Sequence, residues 1–385
     1  MTFYNLIIRF KSPSQSDLVI FERNGSRIIQ ELVLDDLQSY VFDSRREEIF
    51  VSAKVSFYFL IYLKHLRIQD ITNISKIPRL IARELWRIYL LSCIKCLKPK
   101  VVITWIDNSQ VFHWLSERCN DSEFMAIQNG ARANVEIQKL KIPYSIQHFF
   151  CFGKLEEDVY SKLGFKVDHY YPIGSVLGGY YKYRNKNKDK SQYDICVVSS
   201  WRGNIGNGLD VQRTMESMRK MDLFLSRYIE EYHLSAAVAL RSEANSNDRN
   251  IPVYGNEEEY FGRIYGSEVT LVDPVFANGN VYKIMDEGSI VVTFGSTAAR
   301  EAFGWGKKVL YCDFTGLDFY NDYDQAILFR VDDYDAFKAR LNNIRLMPYK
   351  EYRAETKDYA SYLMNYDPDC PPHLFVRKKI EHYLF

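Results

Sequence analysis

The stretch Ser289–Asp313, SIVVTFGSTAAREAFGWGKKVLYCD, decides how the chain is read. Ile290–Phe294 is a short apolar run rich in β-branched residues, as a strand buried on both faces requires. Gly295-Ser296-Thr297 then turns the chain and offers a helix N-cap. Ala298–Trp305 reads as a short helix stopped by Gly304 and Gly306. Lys308–Cys312 reads as the next strand. A helix that starts at the C-terminal edge of a parallel strand presents backbone N–H groups and the positive end of its dipole. That is a setting suited to phosphate.

Working outward, the same alternation recurs. Toward the N-terminus, apolar runs at Val101–Trp105, Phe124–Gln128, Phe149–Phe152, Tyr170–Ile173, Asp194–Ser199, Ala236–Leu240 and Val269–Val272 are separated by segments with helical spacing. The strongest helical segments are Ile77–Leu97 and Leu209–Tyr232. Glu47–Leu66 reads as a further helix, and Thr2–Phe10 and Leu18–Phe21 as strands. Beyond the opening stretch come a strand at Ile327–Val331 and helices at Tyr334–Ile344, Tyr349–Tyr362 and Leu374–Tyr383. Short buried strands alternating with helices predict parallel sheets covered on both faces. Residues 178–192, GGYYKYRNKNKDKSQ, are polar and basic and read as a linker. The expected fold is α/β with two Rossmann-like domains facing a cleft, 1–180 and 181–385, the C-terminal helix returning to the first domain.

Composition narrows the classes. The chain has 385 residues, enough for two domains. Lys and Arg number 50 against 49 acids, so the basic excess of a nucleic-acid-binding protein is lacking. No run of 18 apolar residues predicts a membrane span, and the N-terminal MTFYNLIIRF lacks the features of a signal peptide. The seven cysteines are scattered, as reduced thiols are, and Cys93–Cys96 is a CxxC without a second pair. The seven histidines form no HExxH or HxH pair, so no metal site is expected. There is no Walker loop and no GxSxG elbow. GNIGNG at 203–208 has the glycine order GxxGxG rather than the dinucleotide order.

Ligands of open α/β sheets bind beyond the C-terminal ends of strands. In the first half those positions hold Asp107-Asn108-Ser109, Gln128-Asn129-Gly130-Ala131-Arg132 and Gly174-Ser175. In the second they hold Ser199-Ser200-Trp201-Arg202, Arg241-Ser242-Glu243, Asp273 and Gly295-Ser296-Thr297. Ser296 and Thr297 could hold a phosphate. Glu301, one turn further, could accept hydrogen bonds from a sugar diol; Ser296 as a plain N-cap and Glu301 as a solvated acid is the alternative. Asp107 reads either as a base or nucleophile or as the cap of the helix that starts at Gln110. Glu243 is a second base. Arg132 and Arg241 suit a diphosphate or a sugar carboxylate, or else ordinary surface ion pairs.

The order strand, Gly-Ser-Thr, helix with an acid, Gly-Lys-Lys-Val-Leu resembles the donor-binding segment of two-domain GT-B glycosyltransferases. VVITWIDNSQVFHWLSE (101–117) and FMAIQNGARA (124–133) resemble bacterial surface-carbohydrate biosynthesis transferases, and more distantly the β-Kdo transferases of capsule and O-antigen assembly, which use CMP-Kdo. The resemblance spans roughly residues 100–315. It implies a metal-independent glycosyltransferase without a cofactor, acting in the cytoplasm, at the inner face of the membrane where the acceptor is lipid-linked. Its partners would be a nucleotide-sugar donor and a glycan or lipid-linked acceptor. It places Ser296, Thr297 and Glu301 at the donor, and Asp107, Asn108, Asn129, Gly130 and Arg132 in the cleft on the first-domain, acceptor side; Gly295, Arg241, Ser199 and Arg202, read from their places at the strand ends, join the donor side. Asp107 or Glu243 would do the chemistry. A transferase of polyol phosphate from a CDP-activated donor and a non-catalytic partner of an assembly complex stand as alternatives.

Overall fold

A computed structural model describes residues 7–43, 48–66, 77–132, 145–185, 191–201, 209–241, 256–267, 269–273, 280–317, 319–320 and 323–385. The described strands are β1 (Ile7–Arg9), β2 (Leu18–Phe21), β3 (Tyr40–Phe42), β4 (Glu48–Phe50), β5 (Val101–Thr104), β6 (Glu123–Ile127), β7 (Ser145–Cys151), β8 (Lys166–Pro172), β9 (Tyr193–Val198), β10 (Ala236–Ala239), β11 (Thr270–Val272), β12 (Gly288–Thr293), β13 (Lys308–Cys312) and β14 (Leu328–Phe329). They form two six-stranded sheets, β3-β2-β5-β6-β7-β8 and β11-β10-β9-β12-β13-β14, and a separate β1-β4 pair. All described pairings in both sheets are parallel. The central strands VVIT, ICVV, AAVA and IVVT are buried on both faces, which is why their sequences are continuous apolar runs.

The strand orders locate the crevices. In the second sheet the order reverses between β9 and β12, and in the first between β2 and β5. At such a reversal the flanking connections leave toward opposite faces and open a gap at the C-terminal strand ends.

The C-terminal helix, Pro372–Leu384, does return to the first domain. Val376, Ile380 and Leu384 complete an apolar layer with Leu18, Ile20, Val101, Ile103, Met125 and Phe150 from the first sheet. The chain reaches it by passing close over two glycines. A Cβ at Gly174, whose φ is 89°, would overlap the carbonyl of Asn365, and one at Gly153 would overlap that of Tyr362.

Two sequence expectations are corrected. The segment read as a linker from 178 holds a helix, Val176–Arg184, with Gly178 and Gly179 buried. Those glycines let Trp305 and Pro372 pack close, so small residues mark contact here rather than flexibility. The helix read from Glu47 is β4 followed by a helix, Ala53–Tyr62, capped by the Ser52 hydroxyl, which accepts from Val55 N at 3.2 Å. The described part of the N-terminal strand, β1, pairs with β4.

Candidate functional site: the junction of two sheet edges

On the first sheet, Thr104 Oγ1 donates to the Phe21 carbonyl at 3.2 Å, tying β5 to β2 across the reversal. The chain then turns through Ile106-Asp107-Asn108. Ser109, not Asp107, caps the helix Gln110–Ser116, accepting from Phe112 N and donating to Glu22 Oε1 at 3.0 Å. Asp107 is therefore free of capping duty. Its side chain is fully buried, with Oδ1 accepting from Arg132 Nη2 at 2.7 Å and from Asn129 N at 3.3 Å. Its Oδ2 is buried with no hydrogen-bond partner among the described residues. Arg132 Nη2 also donates to Asn129 Oδ1 at 2.6 Å, and its side chain keeps some exposure. Asp107 thus holds the guanidinium in place from beneath. Asn108 is half-buried in the same turn.

His113 lies below this turn, its Nε2 2.6 Å from the Asp107 carbonyl. A carbonyl can only accept, so Nε2 carries the proton. Burial pushes the imidazole down to about 4, against the raising effect of that bond. The ring is neutral at pH 7.

On the second sheet, Thr293 Oγ1 donates to the Val198 carbonyl at 2.8 Å, and Gly295 N donates to Ser200 Oγ at 3.2 Å. Both bonds span the β9–β12 reversal. Ser296 caps the helix Thr297–Gly304 by accepting from Ala298 N at 3.2 Å. The Tyr320 hydroxyl sits directly over Gly295, in the space a Cβ would need. Ser199 donates to Glu257, which also accepts from Arg241 N at 2.9 Å. Trp201 stacks on Tyr260 beside them, ring centroids 4.3 Å apart.

The two edges meet. Ala131 N donates to Thr297 Oγ1 at 2.9 Å, placing the Asp107–Asn129–Arg132 cluster beside the start of the second-domain helix. Beneath this contact, Arg300 of that helix pairs with Glu156 at 2.8 Å, both side chains almost wholly buried, and donates from Nε to the Leu363 carbonyl at 2.8 Å. Burial is the strongest single effect on the Arg300 charge and opposes it, but the Glu156 carboxylate together with the Tyr323 and Tyr311 phenols holds the guanidinium above its ordinary range. Glu156 in turn accepts from Gln128 Nε2 at 3.1 Å, and that same Nε2 donates to the Gly130 carbonyl at 3.1 Å. A buried polar chain therefore runs from the second-domain helix to the loop that carries Arg132.

Glu301 occupies the same junction one layer deeper. It is buried and accepts from Ser175 Oγ and from the Tyr282 phenol. Burial pushes its carboxyl up to about 7, against those two bonds.

The structure thus brings together Asp107, Asn129, Gly130, Arg132, Gly295, Ser296 and Thr297. Ser199 and Arg241 converge on Glu257 at the neighbouring strand ends. Arg202 and Glu243 lie outside the described residues, as does GNIGNG. Sequence reasoning missed Glu22, Glu156 and Arg300. Glu22 stands directly after β2, and inspecting the C-terminal end of that strand along with the others would have found it. The other two sit on helices and carry no sequence signal. Among the described residues no group of His, Cys, Asp or Glu is arranged to hold a metal ion.

No protein-family model matches the chain, and no curated protein does. Solved structures do match over nearly the whole length. Staphylococcus aureus MnaA, solved with UDP, shares 14% identity at a TM-score of 0.52, with 95% of this chain and 96% of that one covered. The wall teichoic acid polymerase TagF, solved with CDPG, shares 8% identity at a TM-score of 0.51, with 96% of this chain and 89% of that one covered. At these identities the likeness is one of fold. The chain has the GT-B arrangement of two Rossmann-like domains.

Proposed function

We propose that the chain is a glycosyltransferase that moves a sugar from a nucleotide-activated donor to a surface polysaccharide or lipid-linked acceptor. The observation that carries the reading is the hydrogen bond from Ala131 N to Thr297 Oγ1. It sets a helix N-terminus against the first-domain loop that bears Arg132, whose guanidinium is held by the buried Asp107 carboxylate of the neighbouring loop. MnaA solved with UDP and TagF solved with CDPG give this fold two nucleotide-bound examples.

In this reading the donor phosphate sits at Gly295-Ser296-Thr297, where the dipole and the first-turn N–H groups favour negative charge. Arg132 moves from Asp107 onto that phosphate as the donor enters. The move leaves Asp107 with Oδ1 still accepting from Asn129 N and Oδ2 open toward the reacting carbon. An acceptor hydroxyl attacks the anomeric carbon and gives its proton to Asp107. The bond from that carbon to the phosphate oxygen breaks, and its electrons leave with the nucleotide, stabilised by Arg132 and the helix terminus. Glu243 is the alternative base. Ser199, Arg202 and Arg241 line the nucleotide side, Asn108, Asn129 and Gly130 the acceptor side, and Glu301 meets the donor sugar once Ser175 releases it. The domains divide near residue 180. CMP-Kdo is the first donor to test, and the protein works on the cytoplasmic face of the membrane.

A second reading, transfer of a polyol phosphate from a CDP-activated donor, draws on the likeness to TagF with CDPG. The products separate the two: sugar transfer leaves the phosphate on the nucleotide, polyol-phosphate transfer places one in the polymer. Incubating the protein with a panel of nucleotide sugars and CDP-polyols, and monitoring free nucleotide, tests both. Release of CMP, UDP or GDP that falls in Asp107→Asn supports the enzyme reading. No release from any donor, with and without acceptor glycans, overturns it.

A further inference from the structure

Several glycines of this chain are required by the fold, and Gly130 is not. A Cβ at Gly25, Gly153, Gly174, Gly295 or Gly304 would stand 2.6 Å or less from a neighbouring atom. A Cβ at Gly130 would meet the Thr297 hydroxyl at 3.7 Å and Arg132 Nη1 at 3.8 Å, both ordinary contacts. Its φ is not in the left-handed region either. Neither packing nor backbone conformation therefore calls for glycine here. What the missing side chain does is keep a space open between a hydroxyl of the second domain and a guanidinium of the first.

Counting protons says what that space takes. A Ser or Thr hydroxyl has one proton to give. Thr297 Oγ1 accepts from Ala131 N at 2.9 Å, and nothing among the described residues accepts its proton. Ser296 Oγ accepts from Ala298 N at 3.2 Å and likewise has its proton to give. A guanidinium only donates. Arg132 Nη2 is engaged by Asp107 and Asn129, and Nη1 is the nitrogen that borders the gap over Gly130. The Asp107 carboxylate is turned onto Arg132 from beneath. The groups around the gap thus offer protons. An oxygen that only accepts, as in a phosphate, satisfies them, and a cation or an N–H group does not. We infer that the gap over Gly130 seats one oxygen of the donor phosphate, bridging Thr297 of the second domain and Arg132 of the first, and that Gly130 sets its size. Any larger residue puts a carbon where that oxygen sits. The inference rests on the donor-site reading above and adds to it the residue that admits the phosphate.

The test is calorimetric titration of the full chain and its Gly130→Ala variant with CMP, CDP, UDP and GDP, with a thermal melt of each protein without ligand. Gly130→Ala adds a methyl group at ordinary contact distance, so its melting temperature should match wild type. Its affinity for the nucleotide that wild type binds should fall about tenfold or more, the worth of one hydrogen bond to a charged group. Thr297→Ser, which keeps the hydroxyl, should bind more tightly than Thr297→Val, which keeps the shape and loses the proton. A Gly130→Ala protein that binds like wild type overturns the inference and leaves the donor site standing. So does a Gly130→Ala melting temperature well below wild type, because the glycine then serves the fold. Thr297→Val binding as tightly as Thr297→Ser overturns it as well. No binding of any of the four nucleotides to the wild-type protein overturns the donor-site reading and this inference together.

Discussion

Ala131 N donates a hydrogen bond to Thr297 Oγ1 at 2.9 Å, joining the loop after β6 to the first residue of the second-domain helix. The bond closes the gap between the two sheet edges. Thr297→Val keeps the shape and removes the acceptor, leaving a backbone N–H unsatisfied. The expected cost is about 1 kcal/mol, with Thr297→Ser close to wild type. Urea unfolding of the three proteins checks this.

Arg300 and Glu156 face each other at 2.8 Å with almost no exposure. Removing one partner of such a pair strands the other as an uncompensated buried charge. Arg300→Met should therefore lose about 3–5 kcal/mol, whereas Arg300→Met combined with Glu156→Leu should recover much of the loss. If the double variant is as unstable as the sum of the singles, the pair is not coupled as described. Denaturant unfolding of both singles and the double variant measures the coupling.

The Glu301 carboxyl is pushed from 4.5 up to about 7, chiefly by burial. Its folded value lies above its unfolded value, so the folded state holds the proton more tightly. Stability from this group is present below pH 4.5 and is lost as pH rises through about 7. Asp222, buried and bonded by Tyr260 and Tyr265, is raised to about 7 as well and acts in the same direction. Glu301→Gln should lose less stability than wild type as pH rises across that window, and Asp222→Asn likewise. Unfolding midpoints measured at several pH values check both, and equal slopes for all three proteins would contradict the assignment.

Gly295 lies under the Tyr320 hydroxyl, in a space a methyl group would need. Gly295→Ala should force Tyr320 aside at a cost of about 1–3 kcal/mol. In a Tyr320→Phe background the penalty should shrink, since the oxygen is the overlapping atom nearest the Cβ position. A thermal-melt double-mutant cycle measures this coupling.

The sheets were legible because strands buried on both faces spell themselves as apolar runs, VVIT and IVVT being the plainest. The polar residues after those runs were legible for the same reason: once a strand is found, its C-terminal end is known. Strand order was not legible, and with it the reversals that place Ser200 beside Gly295 and Thr104 beside Phe21. The depth of Glu301 was hidden as well. Its partner Ser175 is 126 residues away, so helix periodicity alone could not tell a solvated acid from a buried one. The helix Val176–Arg184 was hidden by its own composition, in which adjacent glycines and a basic tail imitate a loop. The 26–34 helical segment was missed too. It enters through Gly25 at φ 78° and continues as a π-helix, Ile29–Leu34, whose spacing breaks the 3.6-residue pattern.

The proposed donor site lies where Gly295-Ser296-Thr297 meets Arg132. The most direct measurement is thermal and calorimetric titration of the full chain with CMP, CDP, UDP and GDP. A nucleotide at about 100 times its Kd should add about 2.7 kcal/mol of stability. At least one of the four should bind and stabilise the wild-type protein, and Thr297→Val and Arg132→Ala should each reduce the affinity. No binding by any of the four nucleotides, or binding that neither substitution alters, would contradict it.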